Sequence, residues 1–271
     1  MPELPEVETT RLGLLPLLHQ SIAKVVIRNP SLRWPIPTEL PELLSGKTLL
    51  QLTRRAKYIV AHFEHGALLL HLGMSGRISL LEHNEPPQKH DHLDLVFASG
   101  QVLRLRDPRR FGAALWAGEQ PEQHPLLKAL GPEPLGEDFS GDYLYQQTRH
   151  RKAAIKMVIM DHHLVVGVGN IYASESLFRA GIHPETSAQA LAIADCERLA
   201  VAIKNTLQLA LEAGGSSLRD FFGADGNPGY FQQQYFVYGR TWQPCRACGA
   251  TIRAIKQGQR STFYCAHCQI L

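Results

Sequence analysis

The C-terminal part of the chain contains two C-x-x-C pairs. Cys245 and Cys248 form the first pair, and Cys265 and Cys268 form the second. Zinc prefers four thiolates at the corners of a tetrahedron, and each C-x-x-C turn supplies two of them. The spacing predicts one structural zinc ion, because four cysteines complete the coordination and leave no open position for chemistry. His267 lies inside the second pair and is the alternative ligand.

The N-terminus contains candidates for covalent chemistry. Removal of Met1 would make Pro2 the terminal residue, and its secondary amine is a nucleophile that needs no side chain. A helix that begins nearby favours the neutral amine, since α-amino groups ordinarily titrate near ~7.7–8.0. Such an amine attacks a carbonyl-like carbon and forms an iminium, with Glu3 and Glu6 close enough to act as general acid or anchor. The alternative is that these acids only begin a helix.

Length and composition restrict the class of protein. The chain has 271 residues, of which 44% are apolar, which suits one large or two modest domains and argues against disorder. No apolar run reaches the ~18–20 residues that a membrane span needs. The acidic N-terminus lacks the basic and apolar pattern of a secretory signal. A soluble intracellular protein is expected.

The net charge of +3 conceals an uneven distribution of charged residues. Residues 119–142 contain six acids and one lysine, whereas residues 238–271 contain five Lys or Arg and no acid. A basic segment around the cysteine pairs indicates contact with a polyanion such as a phosphate backbone. The alternative is a solvated charged face.

In the first half of the chain, one short helix is predicted, and after it the apolar residues follow the pattern of β-strands. The helix is predicted over residues 6–18, with Pro5 near its start and Pro16 near its end. Strands are predicted at residues 24–28, 58–63, 67–72, 92–97 and 101–106. Residues 98–100 join the last two strands as a hairpin. A sandwich is the expected way to bury both sheets across residues 20–117.

A change of composition separates this half from a helical one. Residues 118–141 are rich in proline, glycine and acids, which predicts a linker. Apolar residues then recur at three- and four-residue spacing from Leu191 to Leu211, which predicts a helix that ends at Gly214. Cys196 falls on its apolar face and is expected in the core. A polar, glycine-rich loop follows, from Gly214 to about Gly229.

Seven blocks of sequence carry a resemblance to a known family. They are Pro2-Glu3-Leu4-Pro5-Glu6-Val7-Glu8-Thr9, Arg54-Arg55-Ala56-Lys57-Tyr58, His71-Leu72-Gly73-Met74-Ser75-Gly76, Lys89-His90-Asp91-His92, Asp107-Pro108-Arg109-Arg110-Phe111-Gly112, Val165-Val166-Gly167-Val168-Gly169-Asn170-Ile171-Tyr172-Ala173-Ser174-Glu175, and the cysteine tail. Together and in this order, they resemble bacterial formamidopyrimidine-DNA glycosylases, also called 8-oxoguanine DNA glycosylases. The resemblance covers essentially the whole chain.

The resemblance implies an α+β, multidomain architecture. It consists of an N-terminal β-sandwich with a leading helix, then a helical helix–two-turns–helix domain and a C-terminal four-cysteine zinc finger. The implied boundaries are 1–117 for the catalytic sandwich, 118–141 for the linker, 142–229 for the DNA-binding helical domain with its lid loop, and 230–271 for the zinc finger. DNA would run through the cleft between the domains.

The resemblance also implies a bifunctional reaction in base-excision repair. The enzyme flips an oxidised purine out of the duplex, and the Pro2 nitrogen attacks C1′ of its sugar. The resulting Schiff base allows β- and then δ-elimination. Glu3 resembles the proton donor at the sugar, and Arg260 resembles the zinc-finger arginine linked to δ-elimination. Lys57 resembles the acid–base partner in elimination, with phosphate binding as the alternative because other cations adjoin it.

Further positions match residues that contact DNA in the family. Met74, Arg109 and Phe111 match the wedge that fills the gap left by the flipped base, with Arg109 facing the orphaned cytosine. The alternative for Met74 and Phe111 is core packing. The remaining implied DNA contacts are His71, His90, Arg151, Lys156 and Asn170. Asn170 stands at an expected helix start, which suits a phosphate.

The glycine-rich loop at residues 214–229 matches the family's lid over the flipped base. Oxidation turns N7 of guanine from an acceptor into a donor, so a backbone carbonyl near Ser216 would distinguish the lesion by one hydrogen bond. The implied lesion-contacting residues are Glu6, Ser216 and Arg219.

Two other functions compete with this one. Endonuclease VIII shares the nucleophile and the zinc tail but prefers oxidised pyrimidines; Leu4, the wedge and the long lid favour the purine enzyme. A non-catalytic zinc-finger DNA-binding protein would need neither Glu3 nor a free Pro2 amine. The expected partner is double-stranded DNA that contains an oxidised purine or an abasic site. The expected protein is a cytoplasmic monomer with one Zn²⁺ and no membrane association.

Overall fold

The computed structural model describes residues 1–83, 85–216, 224 and 229–270. The contacts divide the chain into two compact units, and the first contains Met1–Lys128 and Ala213–Tyr230. The second contains Ala129–Glu212 and Phe231–Leu271. Residues 213–230 therefore group with the first unit, whereas the boundaries predicted from sequence place nearly all of them with the helical domain. Within the described residues, no helix combines the length and the apolar character that crossing a membrane requires.

The first unit contains two four-stranded antiparallel sheets. Its strands are β1 (Ile22–Ile27), β2 (Gln51–Arg55), β3 (Tyr58–Phe63), β4 (Gly66–His71), β5 (Arg77–Leu81), β6 (Asp91–Phe97), β7 (Val102–Arg106) and β8 (Ala113–Trp116). The sheet orders are β1-β6-β7-β5 and β2-β3-β4-β8. One buried apolar cluster includes side chains from all eight strands, so the two sheets share a core. The predicted fold class, with its N-terminal sandwich, is confirmed.

Three helices accompany these sheets. They are α1 (Leu4–Gly13), α2 (Leu40–Leu44) and α3 (Pro125–Lys128), with 3₁₀ turns at Leu15–Leu17 and Pro121–Gln123. Helix α1 begins two residues before its predicted start, and it ends at Gly13 instead of residue 18. The reason is Pro16, which has no N–H to continue the ladder and disfavours helical geometry at the residue before it.

The second unit is helical up to its C-terminal hairpin. Its helices are α4 (Gly141–Thr148), α5 (Ile155–Ile159), α6 (Asn170–Ala180) and α7 (Ile193–Glu212), with 3₁₀ turns at Ala188–Ala190 and Phe231–Gln234. Strands β9 (Ile252–Gln257) and β10 (Arg260–Cys265) form the antiparallel hairpin between the cysteine pairs. Helix α7 follows the predicted apolar period, and Cys196 is fully buried on it, as predicted.

Candidate functional site

The chain enters α1 through a reciprocal capping box. Glu3 is the N-cap residue and Glu6 is the third helical residue; each side chain faces the backbone N–H of the other. The Glu6 carboxylate accepts the Glu3 N–H at 2.8 Å. Two donors that a helix start leaves without partners are thereby satisfied. Pro2, Glu3 and Glu6 are all buried, and Met1 is exposed. The predicted nucleophile therefore stands directly before two ordered carboxylates.

Glu6 also holds the beginning of the predicted lid. Its Oε1 accepts the backbone N–H of Ser216 at 2.8 Å, while Oε2 accepts the Glu3 N–H. Gly215 has φ +80°, and a Cβ there would lie 3.2 Å from Glu6 Oε1, so a larger residue would crowd the carboxylate. Ser216 is fully buried. Arg219, the third predicted lesion contact, lies outside the described residues.

Lys57 lies in the tight turn between β2 and β3. Ala56, just before it, has φ +55°, and its carbonyl accepts the Arg54 guanidinium at 2.9 Å. Arg54 also pairs with Glu8 of α1 at 3.2 Å. Burial alone would raise the pKa of Glu8, but hydrogen bonds and charges from Arg11 and Arg54 outweigh it and lower the pKa. The ionised Glu8 carboxylate thus fixes the Lys57 turn to α1.

His71 ends β4 and is neutral at physiological pH. Burial lowers its pKa to about 4, and the positive charges of Lys57 and Arg33 add to the effect. Its Nδ1 accepts the backbone N–H of Gly73 at 3.0 Å, which places the ring proton on Nε2. His71 is therefore a neutral hydrogen-bond donor within the electrostatic reach of Lys57.

Met74 and Phe111 lie on two touching loops. Met74 is 41% exposed and Phe111 is 42% exposed, which rules out the core-packing alternative. Gly73 has φ +61°, and a Cβ there would lie 2.4 Å from the Phe111 carbonyl carbon, so the two loop backbones are in contact. The Arg109 guanidinium lies 4.9 Å from the centre of the Phe111 ring. The loops that carry the three predicted wedge residues are thus in contact.

The residue that joins these loops is Asp107, which the sequence analysis did not single out. It is fully buried. Its Oδ1 accepts Ser75 Oγ at 2.9 Å and the Arg109 N–H at 3.2 Å, and its Oδ2 accepts the Gly112 N–H at 2.7 Å. One carboxylate therefore orders the loops before and after the wedge residues. An Asp that begins a Pro-containing turn was the available signal.

His90 is hydrogen-bonded to the backbone of the same aspartate. Its backbone has φ +74°, and its carbonyl accepts the Asp107 N–H at 3.0 Å. The neighbouring His92 is buried, with Nε2 2.8 Å from the Asp107 carbonyl oxygen. The partly buried His90 is thus held near the wedge loops by the backbone on both sides of Asp107.

In the second unit, Asn170 and Lys156 lie in one hydrogen-bonded cluster. Asn170 is the first residue of α6, as predicted, and its Nδ2 donates to the Ser261 carbonyl at 3.0 Å. Lys156 Nζ donates to Asn170 Oδ1 and to Thr262 Oγ1, at 2.6 Å each. Arg260, one residue before Ser261, is exposed. Lys156 was expected at the DNA surface, but its side chain is fully buried because these acceptors lie beneath the surface.

Arg151 precedes α5 and already has an acidic partner. Its guanidinium donates to Asp161 Oδ2 at 2.9 Å, and both side chains are about one-third exposed to solvent. Exposed pairs of this kind contribute roughly 0–1 kcal/mol, so a phosphate could displace the carboxylate at little cost. The position is compatible with the predicted DNA contact.

The four cysteines of the tail converge on one point. All their Sγ atoms lie within 4.8 Å of one another, with Cys245–Cys268 at 3.9 Å and Cys248–Cys265 at 3.5 Å. Zinc with Zn–S bonds of ~2.3 Å requires tetrahedral edges of ~3.8 Å, so the arrangement fits the metal. None of the four forms a disulfide. His267 is exposed and is not part of the cluster among the described residues.

In the second unit, a buried carboxylate links α6 to the residues that precede the first cysteine pair. Glu175 is fully buried, and its two oxygens accept the backbone N–H groups of Phe236, Val237 and Tyr238, each at 2.9 Å. Three donors on one carboxylate form a rigid junction. In the sequence, Glu175 is distinguished only as the last residue of the block that begins at Val165.

Three family models match the chain in sequence order. They are the formamidopyrimidine-DNA glycosylase N-terminal domain at residues 1–114, the H2TH domain of the same enzymes at 130–222, and a zinc finger found in FPG and IleRS at 243–270. This combination defines the class of helix–two-turns–helix DNA glycosylases that carry a zinc finger. With the four-cysteine geometry, it confirms the predicted structural zinc.

Individual relatives agree with the family models. The formamidopyrimidine-DNA glycosylase of Methylobacillus flagellatus is 67% identical over 99% of this chain and 96% of its own. The crystal structure of the MutM (Fpg) protein from Thermus thermophilus has a TM-score of 0.90 at 38% identity, covering 99% of this chain and 98% of that one. A Lactococcus lactis Fpg mutant in complex with Fapy-dG-containing DNA has a TM-score of 0.93 at 36% identity, with both chains fully covered. The chain belongs to the formamidopyrimidine-DNA glycosylase family.

Proposed function

We propose that the protein is a base-excision repair enzyme that removes oxidised purines from double-stranded DNA and then cleaves the abasic site. The observation that carries the proposal is the buried Pro2-Glu3 start of α1, with Glu6 joined to both Glu3 and Ser216. The relatives bear the same name, and the Lactococcus lactis protein was crystallised with Fapy-dG DNA and with abasic-site DNA. The substrates of this chain are 8-oxoguanine and formamidopyrimidine lesions.

The chemistry begins at the Pro2 nitrogen once Met1 is removed. Its lone pair forms a bond to C1′, the glycosidic bond breaks with its electron pair on the departing base, and the base takes up the proton that the Pro2 nitrogen loses. Protonation of the sugar ring oxygen opens the ring and leaves an iminium between Pro2 and C1′. Glu3 is the proton donor, because it is adjacent to Pro2 and ordered by the capping box.

The iminium then acts as an electron sink for strand cleavage. Loss of a proton from C2′ expels the 3′ phosphate, and a second elimination expels the 5′ phosphate. Lys57 serves as the acid–base partner or as a phosphate contact. The neutral His71 ring offers its Nε2–H as a hydrogen-bond donor near Lys57. Hydrolysis of the remaining Schiff base releases Pro2.

The duplex must be held open while the base lies in the site. Met74 and Phe111 supply exposed apolar surface for the stack, and Arg109 supplies donors to the orphaned cytosine. His90 contacts the backbone nearby. Glu6, Ser216 and Arg219 form the lesion-binding set, in which a carbonyl near Ser216 accepts the N7–H of the oxidised purine.

The second unit grips the phosphates on either side of the lesion. Arg260 and Arg151 carry the charge, and Asn170 adds an amide at the start of α6. Zinc, when bound, cross-links the two cysteine turns and orders the β9–β10 hairpin that carries Arg260. The chain acts as a monomer in the cytoplasm, where the chromosomal DNA of bacteria lies.

Oxidised pyrimidines are a second substrate class. One structure of the wild-type Lactococcus lactis Fpg contains DNA with an oxidised pyrimidine. Acceptance of such a base requires only that the lid and Glu6 tolerate a smaller ring. We infer a weaker activity of this chain on oxidised pyrimidines than on oxidised purines.

Borohydride trapping tests the proposal directly. Protein with Met1 removed is mixed with duplexes that contain 8-oxoguanine opposite each base, formamidopyrimidine, an oxidised pyrimidine or normal guanine. A covalent adduct with the first two, weaker with the pyrimidine and absent with guanine, is the expected result. Pro2→Gly and Glu3→Gln are expected to abolish the adduct on 8-oxoguanine. No adduct from wild-type protein that still binds the duplex would leave a non-catalytic DNA-binding protein.

A further inference from the structure

A buried ammonium group lies under the phosphate-gripping residues of the second unit. Lys156 belongs to α5 and is fully buried, which is rare for lysine. Its Nζ contacts Asn170 Oδ1 at 2.6 Å, Thr262 Oγ1 at 2.6 Å and the Ser261 carbonyl at 3.5 Å. These acceptors belong to α6 and β10, so one side chain connects three elements. A residue in this position reaches DNA only through its neighbours.

The contact with Lys156 determines which way the Asn170 amide points. An ammonium group only donates hydrogen bonds, so it selects the carbonyl oxygen of the Asn170 side chain. A backbone carbonyl only accepts, so the Ser261 oxygen selects Nδ2 at 3.0 Å. Exchange of the two amide ends would set donor against donor and acceptor against acceptor. Lys156 and Ser261 thus lock a single orientation.

The same ammonium sets the position of the strand that begins at Arg260. Thr262 is fully buried, and its hydroxyl accepts from Lys156, two residues after Arg260. The Ser261 carbonyl, between them, accepts from both Nζ and Asn170. Loss of the ammonium would release this end of β10 as well as the amide.

We propose that Lys156 is a positioning residue that presents the Asn170 amide and Arg260 to one stretch of DNA backbone and does not itself touch a phosphate. The inference rests on the proposed DNA-repair function. It assigns the residue a role different from the direct DNA contact that the family resemblance implies. The chemical group recognised is a phosphate diester beside the lesion.

A double-mutant cycle separates the two roles. Zinc-loaded Lys156→Met, Asn170→Ala and the double variant are compared in binding to a duplex with a tetrahydrofuran abasic-site analogue. Each single variant is expected to bind about tenfold more weakly, since a hydrogen bond that involves a charged group is lost or misdirected. Because both act through one amide, the double variant is expected to bind only about ten- to twentyfold more weakly. A loss near a hundredfold would show independent contacts and overturn the proposal.

Salt dependence provides an independent readout. A lysine that pairs with a phosphate contributes about 0.9 to the slope of log affinity against log salt. Lys156→Met is expected to keep the wild-type slope, whereas Arg260→Ala lowers it. A slope that falls by about one in Lys156→Met would identify a direct phosphate contact and refute the positioning role.

Two variants control for charge and for folding. Lys204→Met removes a lysine of α7 whose Nζ donates to the Gly136 carbonyl at 2.9 Å, and it is expected to bind DNA like the wild type. Thr262→Val keeps the shape of the side chain while removing an acceptor of Lys156, so it is expected to weaken binding a few-fold, again without adding to Asn170→Ala. In ¹⁵N spectra, the Asn170 side-chain NH₂ signals are expected to move in Lys156→Met and stay in place in Lys204→Met. Unmoved NH₂ signals would contradict the proposal.

Binding and borohydride trapping by the wild-type protein show whether a negative result overturns only the role of Lys156 or the proposed repair function as well. If wild-type protein binds the analogue and traps a borohydride adduct but the cycle is additive, only the positioning role is wrong. If wild-type protein shows neither binding nor adduct, the repair function fails, and the role of Lys156 in it fails too.

Discussion

The carboxylate of Glu6 accepts the backbone N–H of Ser216 at 2.8 Å, so the third residue of the first helix holds a residue 210 positions further along the chain. Its other oxygen accepts the N–H of Glu3. The two bonds place Glu3, the proposed proton donor, and the start of the predicted lid on opposite oxygens of a single buried group. Both partners are donors, so each oxygen of the carboxylate accepts one backbone N–H.

Glu6→Gln is expected to destabilise the protein and to separate the two activities. The amide NH₂ would face one of the two backbone donors, and a buried donor left without an acceptor costs about 1–3 kcal/mol. Excision of 8-oxoguanine should fall by more than tenfold, while cleavage of a preformed abasic site falls less, because the lid serves the base. Thermal unfolding and single-turnover assays on both substrates measure this. The exposed Glu42→Gln is the control, and an equal loss on both substrates would contradict the assignment.

Asp107→Asn is expected to disorder the wedge loops. An amide cannot accept from Ser75, Arg109 and Gly112 together, so at least one buried backbone donor loses its acceptor at a cost of about 1–3 kcal/mol. The fluorescence of 2-aminopurine placed opposite the lesion should report less unstacking with Asp107→Asn than with the wild-type protein. Ser75→Ala removes only the hydroxyl, so its fluorescence is expected to lie between that of the wild type and that of Asp107→Asn. Wild-type fluorescence in Asp107→Asn would show that the loops hold without the carboxylate.

The depressed pKa of His71 makes a prediction about acid stability. The unfolded histidine binds a proton near pH ~6.5, whereas the folded one does so only near a pKa of about 4. Between these values the unfolded state binds more protons, so the stability that His71 contributes is present above pH ~6.5 and is lost as the pH falls towards 4. Proton NMR should place the titration of the ring near pH 4. In His71→Gln, the decline in unfolding free energy across this window should be shallower; an unchanged decline would assign it to other groups.

Removal of zinc is expected to abolish DNA binding while the first unit stays folded. The four cysteines lie in the second unit with Arg260, and the eight-stranded core of the first unit includes none of them. Cys245→Ser should lose the metal and bind lesion DNA at least a hundredfold more weakly, with near-native β-sheet circular dichroism. Cys196→Ala, at the buried cysteine outside the cluster, should retain one zinc per chain. Full DNA binding after verified metal loss would disprove the coupling.

The strands of the first unit that the sequence pattern did not predict share one property. Strands β2, β5 and β8 are all at the edges of their sheets. An edge strand meets a neighbour on one side only, so its side chains are mixed in polarity, as in Gln51-Leu52-Thr53-Arg54-Arg55, or the strand is very short, as in β8. The apolar pattern that predicts a strand arises from burial of its side chains. These three strands are incompletely buried, so the pattern is weak in them. The four interior strands β3, β4, β6 and β7 are buried along most of their length, and they were predicted within about one residue.

The site residues also fall into two groups: those that the sequence indicates and those whose role only the structure shows. Cys245 is recognisable because the spacing of the cysteines alone indicates its chemistry. Glu3 and Asn170 are recognisable as helix-start residues, and the family resemblance supplies their roles. Asp107 and Lys156 are not, because their roles depend on acceptors and donors that only folding brings within 3 Å. A lysine in a helix is predicted from sequence to be an exposed cation, and only the structure shows that Lys156 is buried. Sequence thus identifies groups that react or bind metal more readily than groups that hold others in place.

The return of residues 213–230 to the first unit has a consequence for protein synthesis. The ribosome makes the helical segment Ala129–Glu212 before it reaches the residues that complete the first unit. A nascent chain shorter than 216 residues carries the Pro2 terminus but lacks Ser216, whose N–H binds Oε1 of Glu6 in the folded protein. The bond that joins α1 to the start of the predicted lid therefore forms only after about four-fifths of the polypeptide has been translated.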